Sequence, residues 1–91
     1  MTKKEEYNAI VLMTAKLLGI QAEVNYLQMF DLQKEKAEML DAFLEKISNL
    51  HRGTKGARIA NSLRTNPFAL SEKQAYCISR AAIRNHIELY T

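Results

Sequence analysis

From Ile10, the apolar side chains Met13, Leu17, Ile20, Val24 and Leu27 follow at alternating steps of three and four, a seam three heptads long. Such steps keep side chains on one face of a helix, whereas a strand needs steps of two. Folded as a strand, this segment would scatter its apolar groups over both faces of a sheet. Spacings of three and four continue to the end of the chain, and glycine and proline fall at plausible helix boundaries. The pattern implies an all-α fold.

Local signals set the expected boundaries. Thr2 with Glu5 has the spacing of a capping box, which satisfies free backbone N–H groups at a helix start. The first helix is predicted over residues 3–29. Gly19 lies inside the seam and costs up to about 1 kcal/mol relative to alanine, so two helices split there are the alternative. Asp31 and Lys34 occupy the next two seam positions and break its phase. Asp31 is suited to N-cap a second helix over 32–51. That helix would carry Met39, Leu40, Phe43, Leu44, Ile47 and Leu50 on one side and charges on the other, with Gly53 as its C-cap. Thr54 can cap a third helix over 55–65, ended by Asn66-Pro67, because a residue before proline is pushed away from helical angles. Ser71 and Gln74 form a second capping box, with Leu70 and Ala75 spaced as a hydrophobic staple, opening a last helix over 72–89. Short connections make this a small antiparallel bundle of four to five helices in a single domain, 1–91.

The totals narrow the setting. Ninety-one residues hold one core, and self-association would add stability that a chain this short lacks. The lone Cys77 allows no internal disulfide and fits a reducing compartment. The longest uncharged run, Tyr7 to Ala15, is nine residues, against roughly 20 for a membrane span. The amino terminus lacks a secretory pattern, so a cytoplasmic location without membrane insertion is expected.

The net charge of +3 conceals a division. Residues 1–45 hold five Lys and eight Asp/Glu, whereas residues 46–91 hold eight Lys/Arg and two Glu. All five arginines lie in the second part, and no acid occurs between Glu45 and Glu72. Such asymmetry points to a binding face for an anionic partner.

Catalytic and metal chemistry find little support, so no enzyme and no cofactor is expected. His51 and His86 are 35 residues apart and make no ligand spacing, and Cys77 has no second cysteine. Glu38, Asp41 and Glu45 share a helix face, but with Lys34, Lys36 and Lys46 around them they read as a solvated surface. His86 falls on the inward side of the last predicted helix, as a core or interface histidine.

The segment "HRGTKGARIANSLR", His51 to Arg64, is more informative. Gly53-Thr54 precedes a helix N-terminus, whose free N–H groups favour anions. Lys55, Arg58 and Ser62 share a face there, with Arg52 just before them and Arg64 off it. On the last helix Lys73, Arg80 and Arg84 centre one face, opposite Ala75, Ile78, Ala82 and Leu89. Beside that basic line runs a second apolar row, Tyr76, Ile83, Ile87 and Tyr90, suited to a partner interface. The expected anion-contacting set is Arg52, Lys55, Arg58, Lys73, Arg80 and Arg84.

The stretch "ANSLRTNPFALSEKQAYCISRAA", Ala60 to Ala82, resembles helical segments of small phage, plasmid and mobile-element proteins, often ones that handle DNA. The resemblance covers about a quarter of the chain and transfers no functional residue; it implies a mobile-element context and nucleic-acid association. The expectation is a non-enzymatic module that contacts nucleic acid or another polyanion through its basic half. The alternative is a protein-interaction module, an adaptor or inhibitor, whose Ile10–Leu27 seam pairs with a copy of itself or with a partner helix. A homodimer is expected separately, from the length of this seam and the added surface of Tyr76, Ile83, Ile87 and Tyr90.

Overall fold

The computed structural model describes residues 1–51, 53–64 and 70–89. Four helices make up these residues: α1 (Lys3–Gln28), α2 (Lys34–Ser48), α3 (Lys55–Leu63) and α4 (Glu72–Arg84). No strand occurs among the described residues. Neither is any described helix long and apolar enough to cross a membrane.

α1 is one helix, continuous through Gly19. This glycine is exposed, and nothing lies within 4 Å of where a Cβ would stand, so its cost is backbone entropy alone. At its start the Thr2 hydroxyl oxygen accepts from the Glu5 N–H at 3.1 Å, and the hydroxyl in turn donates to the Glu5 carboxylate. The seam turns inward: Ile10, Leu17, Ile20 and Val24 are buried, with Met13 and Leu27 half-buried. It therefore packs within the protomer and is no outward coiled-coil surface, which removes the expected basis for a homodimer through this face.

Asp31 does not cap α2. Its φ is 57°, the Asp31 N–H reaches the Gln28 carbonyl, and the Leu32 N–H reaches the Leu27 carbonyl at 3.1 Å. Bonds of this 5→2 and 6→1 type satisfy the last free carbonyls of a helix around a left-handed residue, so Asp31 closes α1 instead. α2 starts behind Gln33, which makes no side-chain cap bond. It stops at Ser48, well short of Gly53; the Ser48 hydroxyl and the Asn49 N–H both take up the Glu45 carbonyl. Leu40, Phe43, Leu44 and Ile47 form its buried stripe.

α3 is shorter than expected, and the Thr54 hydroxyl makes no cap bond. Its inner face is Gly56, Ala57, Ala60 and Leu63. Small side chains let α3 approach α4 closely. A Cβ on Gly56 would lie 2.7 Å from the Ala81 Cβ and 2.9 Å from the Cys77 carbonyl oxygen, so no larger residue fits without moving the helices.

α4 opens on a complete capping box: Gln74 N–H to the Ser71 hydroxyl at 3.3 Å, Ser71 N–H to the Gln74 side chain at 2.9 Å. It ends at Arg84 and not at residue 89. The Asn85 amide donates to the Ala81 carbonyl at 2.8 Å, His86 takes φ 55°, and the Ile87 N–H returns to the Ala82 carbonyl at 2.9 Å. The left-handed turn swings His86 to the surface, which corrects its expected inward position. Ile87 and Leu89 fold back on the core beyond the helix.

The core joins Leu17, Ile20 and Val24 to the α2 stripe, Ala60 and Leu63 of α3, and Ala75, Ile78 and Ala82 of α4. α4 lies between α1 and α3, so its flanks border both neighbours.

Candidate functional site

Pairing divides the arginines of the basic half. Arg64 Nε lies 3.3 Å from Asp41 and its guanidinium 3.8 Å from Glu45. The acidic face of α2 is thus partly an ion-pair partner of the residue that caps α3. Arg84 Nε donates to Glu6 at 3.0 Å, tying the end of α4 to the start of α1. By contrast, among the described residues no carboxylate lies within 4.0 Å of Lys55, Arg58, Lys73 or Arg80.

Three adjoining hollows run along the flanks of α4. The largest, about 540 Å³, is a groove walled by Val11, Thr14, Ala15 and Leu18 of α1 and by Glu72, Lys73, Tyr76 and Cys77 of α4, with Lys55 at its edge. A second, about 380 Å³, lies between Lys3, Glu6, Tyr7 and Ile10 of α1 and Tyr76, Arg80 and Arg84 of α4. The third, about 300 Å³, sits at the α3 start, where Thr54, Lys55 and Gly56 face Cys77, Arg80, Arg84 and Asn85. Shared residues link them: Tyr76 borders the first two, Lys55 the first and third, and Arg80 and Arg84 the last two.

Of the six cationic residues expected at a site, Lys55, Lys73, Arg80 and Arg84 are therefore brought together, with Arg84 already holding Glu6. Arg58 is exposed one turn along α3 from Lys55 and borders none of these hollows. Arg52 lies outside the described residues. Of the expected interface row, Tyr76 lines the groove, while Ile83 and Ile87 border a separate hollow with Met13, Lys16 and Leu89. Ile87 is past the helix end, and Tyr90 lies outside the described residues, so the row is not one continuous helix face.

Two parts of the face were missed from sequence. Lys3 adds a cation from α1. Val11, Ala15 and Leu18 add an apolar wall; they follow the seam residues by one or two positions at helical spacing, a second row that the stronger seam obscured. Cys77 is half-buried in the groove wall. Among the described residues no three His, Cys, Asp or Glu side chains are grouped so as to hold a metal ion.

No family model matches the chain, and no curated protein or solved structure shows significant similarity to it. The functional reading accordingly rests on the geometry of this face.

Proposed function

We propose that the protein is a non-enzymatic binding module that takes up an anionic macromolecule, nucleic acid or the acidic surface of a protein, on the face formed by α1, α3 and α4. The observation that carries this reading is a group of cations with no carboxylate within 4.0 Å among the described residues: Lys55, Lys73 and Arg80 around adjoining hollows, with Arg58 beside them. Clustered unneutralised charge raises the local potential and attracts a polyanion. The α3 N-terminus adds its positive dipole end beside Lys55 and Arg80. An antiparallel bundle suits this arrangement: Glu6 meets Arg84, while Val11 to Leu18 meet Glu72 to Cys77, so α1 and α4 run in opposite directions. A cytoplasmic setting fits a chain whose single cysteine needs no partner. The resemblance of residues 60–82 to segments of phage and plasmid proteins makes nucleic acid the first ligand to test. Self-association through the α1 seam is not part of the proposal, because Ile10, Leu17, Ile20 and Val24 are buried in the protomer.

The test is a salt titration of binding to a random-sequence duplex, a random single strand and poly-glutamate. Micromolar binding at low salt that disappears by about 200 mM is expected for phosphate contacts. The double substitution Arg58→Glu, Arg80→Glu should abolish it with helicity retained. Failure to bind any of the three polyanions at low salt refutes the reading.

A second ligand class has its own support. Phosphates gain nothing from a groove lined by Val11, Ala15, Leu18, Tyr76 and Cys77, whereas apolar side chains of an acidic protein segment are buried there.

A further inference from the structure

We infer that the groove between α1 and α4 seats an amphipathic helix of a partner protein, apolar along one side and acidic along its edges. This rests on the anion-binding reading above and names the partner class of that same face.

The groove has the form such a helix needs. On α1, Val11, Ala15 and Leu18 stand at i, i+4 and i+7, a row spanning two helical turns. On α4, Lys73, Tyr76 and Cys77 stand at i, i+3 and i+4. Two helices present neighbouring rows, and a third helix laid between them offers anchors at the same intervals, the helix-in-groove mode of recognition. The volume, about 540 Å³, falls in the range of ligand clefts, roughly 300–1,000 Å³.

Charge selects the occupant. Lys55 and Lys73 flank the apolar floor, and Arg80 and Lys3 continue the positive edge past Tyr76. Glu72 lines the groove and Glu6, held by Arg84, the adjoining hollow, so the occupant carries a neutral or basic side chain opposite Glu72 and acids elsewhere. Among the described residues, a second copy of this chain offers no apolar stripe of this kind in its acidic half. The helices of its acidic half, α1 and α2, both bury their main apolar stripes: Ile10, Leu17, Ile20 and Val24 in one, Leu40, Phe43, Leu44 and Ile47 in the other. Its exposed apolar groups do not make up for this: Val11 and Tyr7 line the hollows themselves, and Tyr26, Met29, Phe30 and Leu32 gather at the end of α1 and in the turn beyond it, so the occupant is assigned to another protein.

The experiment is a selection from a displayed library of helical peptides randomised at all surface positions, with the full chain as bait. Enriched sequences should carry aliphatic or aromatic residues at i, i+3 or i+4 and i+7, flanked by Asp or Glu. Ala15→Trp fills the groove from an exposed position. It should weaken the selected peptides at least tenfold at an unchanged thermal midpoint. Val11→Asp, also exposed, should do the same by repelling acidic flanks, and it covers the case of misfolding by the tryptophan variant. No enrichment of acidic amphipathic sequences, or enriched peptides indifferent to both variants, overturns the inference. So does a single-stranded oligonucleotide whose binding falls tenfold in Ala15→Trp, which would assign the groove to nucleobases. In each of these outcomes, retained salt-sensitive binding of poly-glutamate or duplex leaves the broader anion-binding reading standing.

Discussion

Gly56→Ala and Gly19→Ala are the same chemical change in two helices, and their stability effects should have opposite signs. At Gly56 the added methyl would lie 2.7 Å from the Ala81 Cβ and 2.9 Å from the Cys77 carbonyl oxygen. Ordinary contact begins near 3.4 Å, and neither obstacle is the free end of a flexible side chain, so α3 and α4 must separate by several tenths of an ångström. Overpacking of a tight core contact costs about 1–3 kcal/mol. Alanine returns up to about 1 kcal/mol as a better helix former. The net expectation is a loss of about 1–2 kcal/mol, a fall in thermal midpoint of roughly 5–15 °C for a domain of this size. At Gly19 no atom lies within 4 Å of the new methyl. Only the propensity gain remains there, about 0.5–1 kcal/mol of stabilisation. Circular dichroism on heating, checked by urea titration at equal m-value, reads both. A Gly56→Ala protein as stable as the parent would refute the argument that close α3–α4 packing demands glycine. Because Gly56 and Ala81 also border the hollow shared by Lys55 and Arg80, the same variant should weaken polyanion binding.

Two further substitutions probe single features. Ser79 is fully buried and its hydroxyl has no hydrogen-bond partner among the described residues. Ser79→Ala should stabilise by about 1 kcal/mol in urea unfolding, since it removes an unsatisfied group and favours the helix. His86 sits in the left-handed region, which strains an L-residue and suits glycine. His86→Gly should therefore raise stability by about 0.5–1 kcal/mol after glycine's own entropy cost, measured the same way.

Periodicity made the four helices legible, but α2, α3 and α4 all stop short of where it put their ends. The start of α4 was readable because Ser71 and Gln74 act locally, each on a backbone group three residues away. The end of α4 was not, because His86 takes the left-handed conformation that sequence reasoning assigns to glycine; Asp31 does the same after α1, so the residue expected to open α2 closes α1 instead. The pairing of Arg84 with Glu6 spans 78 residues and that of Arg64 with Asp41 spans 23, distances at which spacing carries no information. Part of the cationic set was legible in the charge division, since Lys73, Arg80 and Arg84 share one face of one helix. The groove was not. Its α1 wall is a weaker apolar row beside a stronger one, and only the docking of α4 gives that row a second side.

The charge division also separates binding from folding. Exposed ion pairs contribute about 0–1 kcal/mol, so even the contacts of Arg64 and Arg84 do little to hold the helices together. Cations with no carboxylate within 4.0 Å contribute less still, and their mutual repulsion slightly opposes compaction. Lys55, Arg58, Lys73 and Arg80 are therefore poorly explained as stabilising residues. By contrast, truncating Leu44 or Ile47, both buried, to alanine would cost about 2–5 kcal/mol. It follows that Arg58→Glu with Arg80→Glu should leave the unfolding free energy from urea titration within about 0.5 kcal/mol per site, the range typical of surface changes. The same protein should lose its salt-sensitive binding. An unfolding free energy that drops by several kcal/mol together with binding would mean that these arginines serve the fold, and the case for a binding face would lose its foundation.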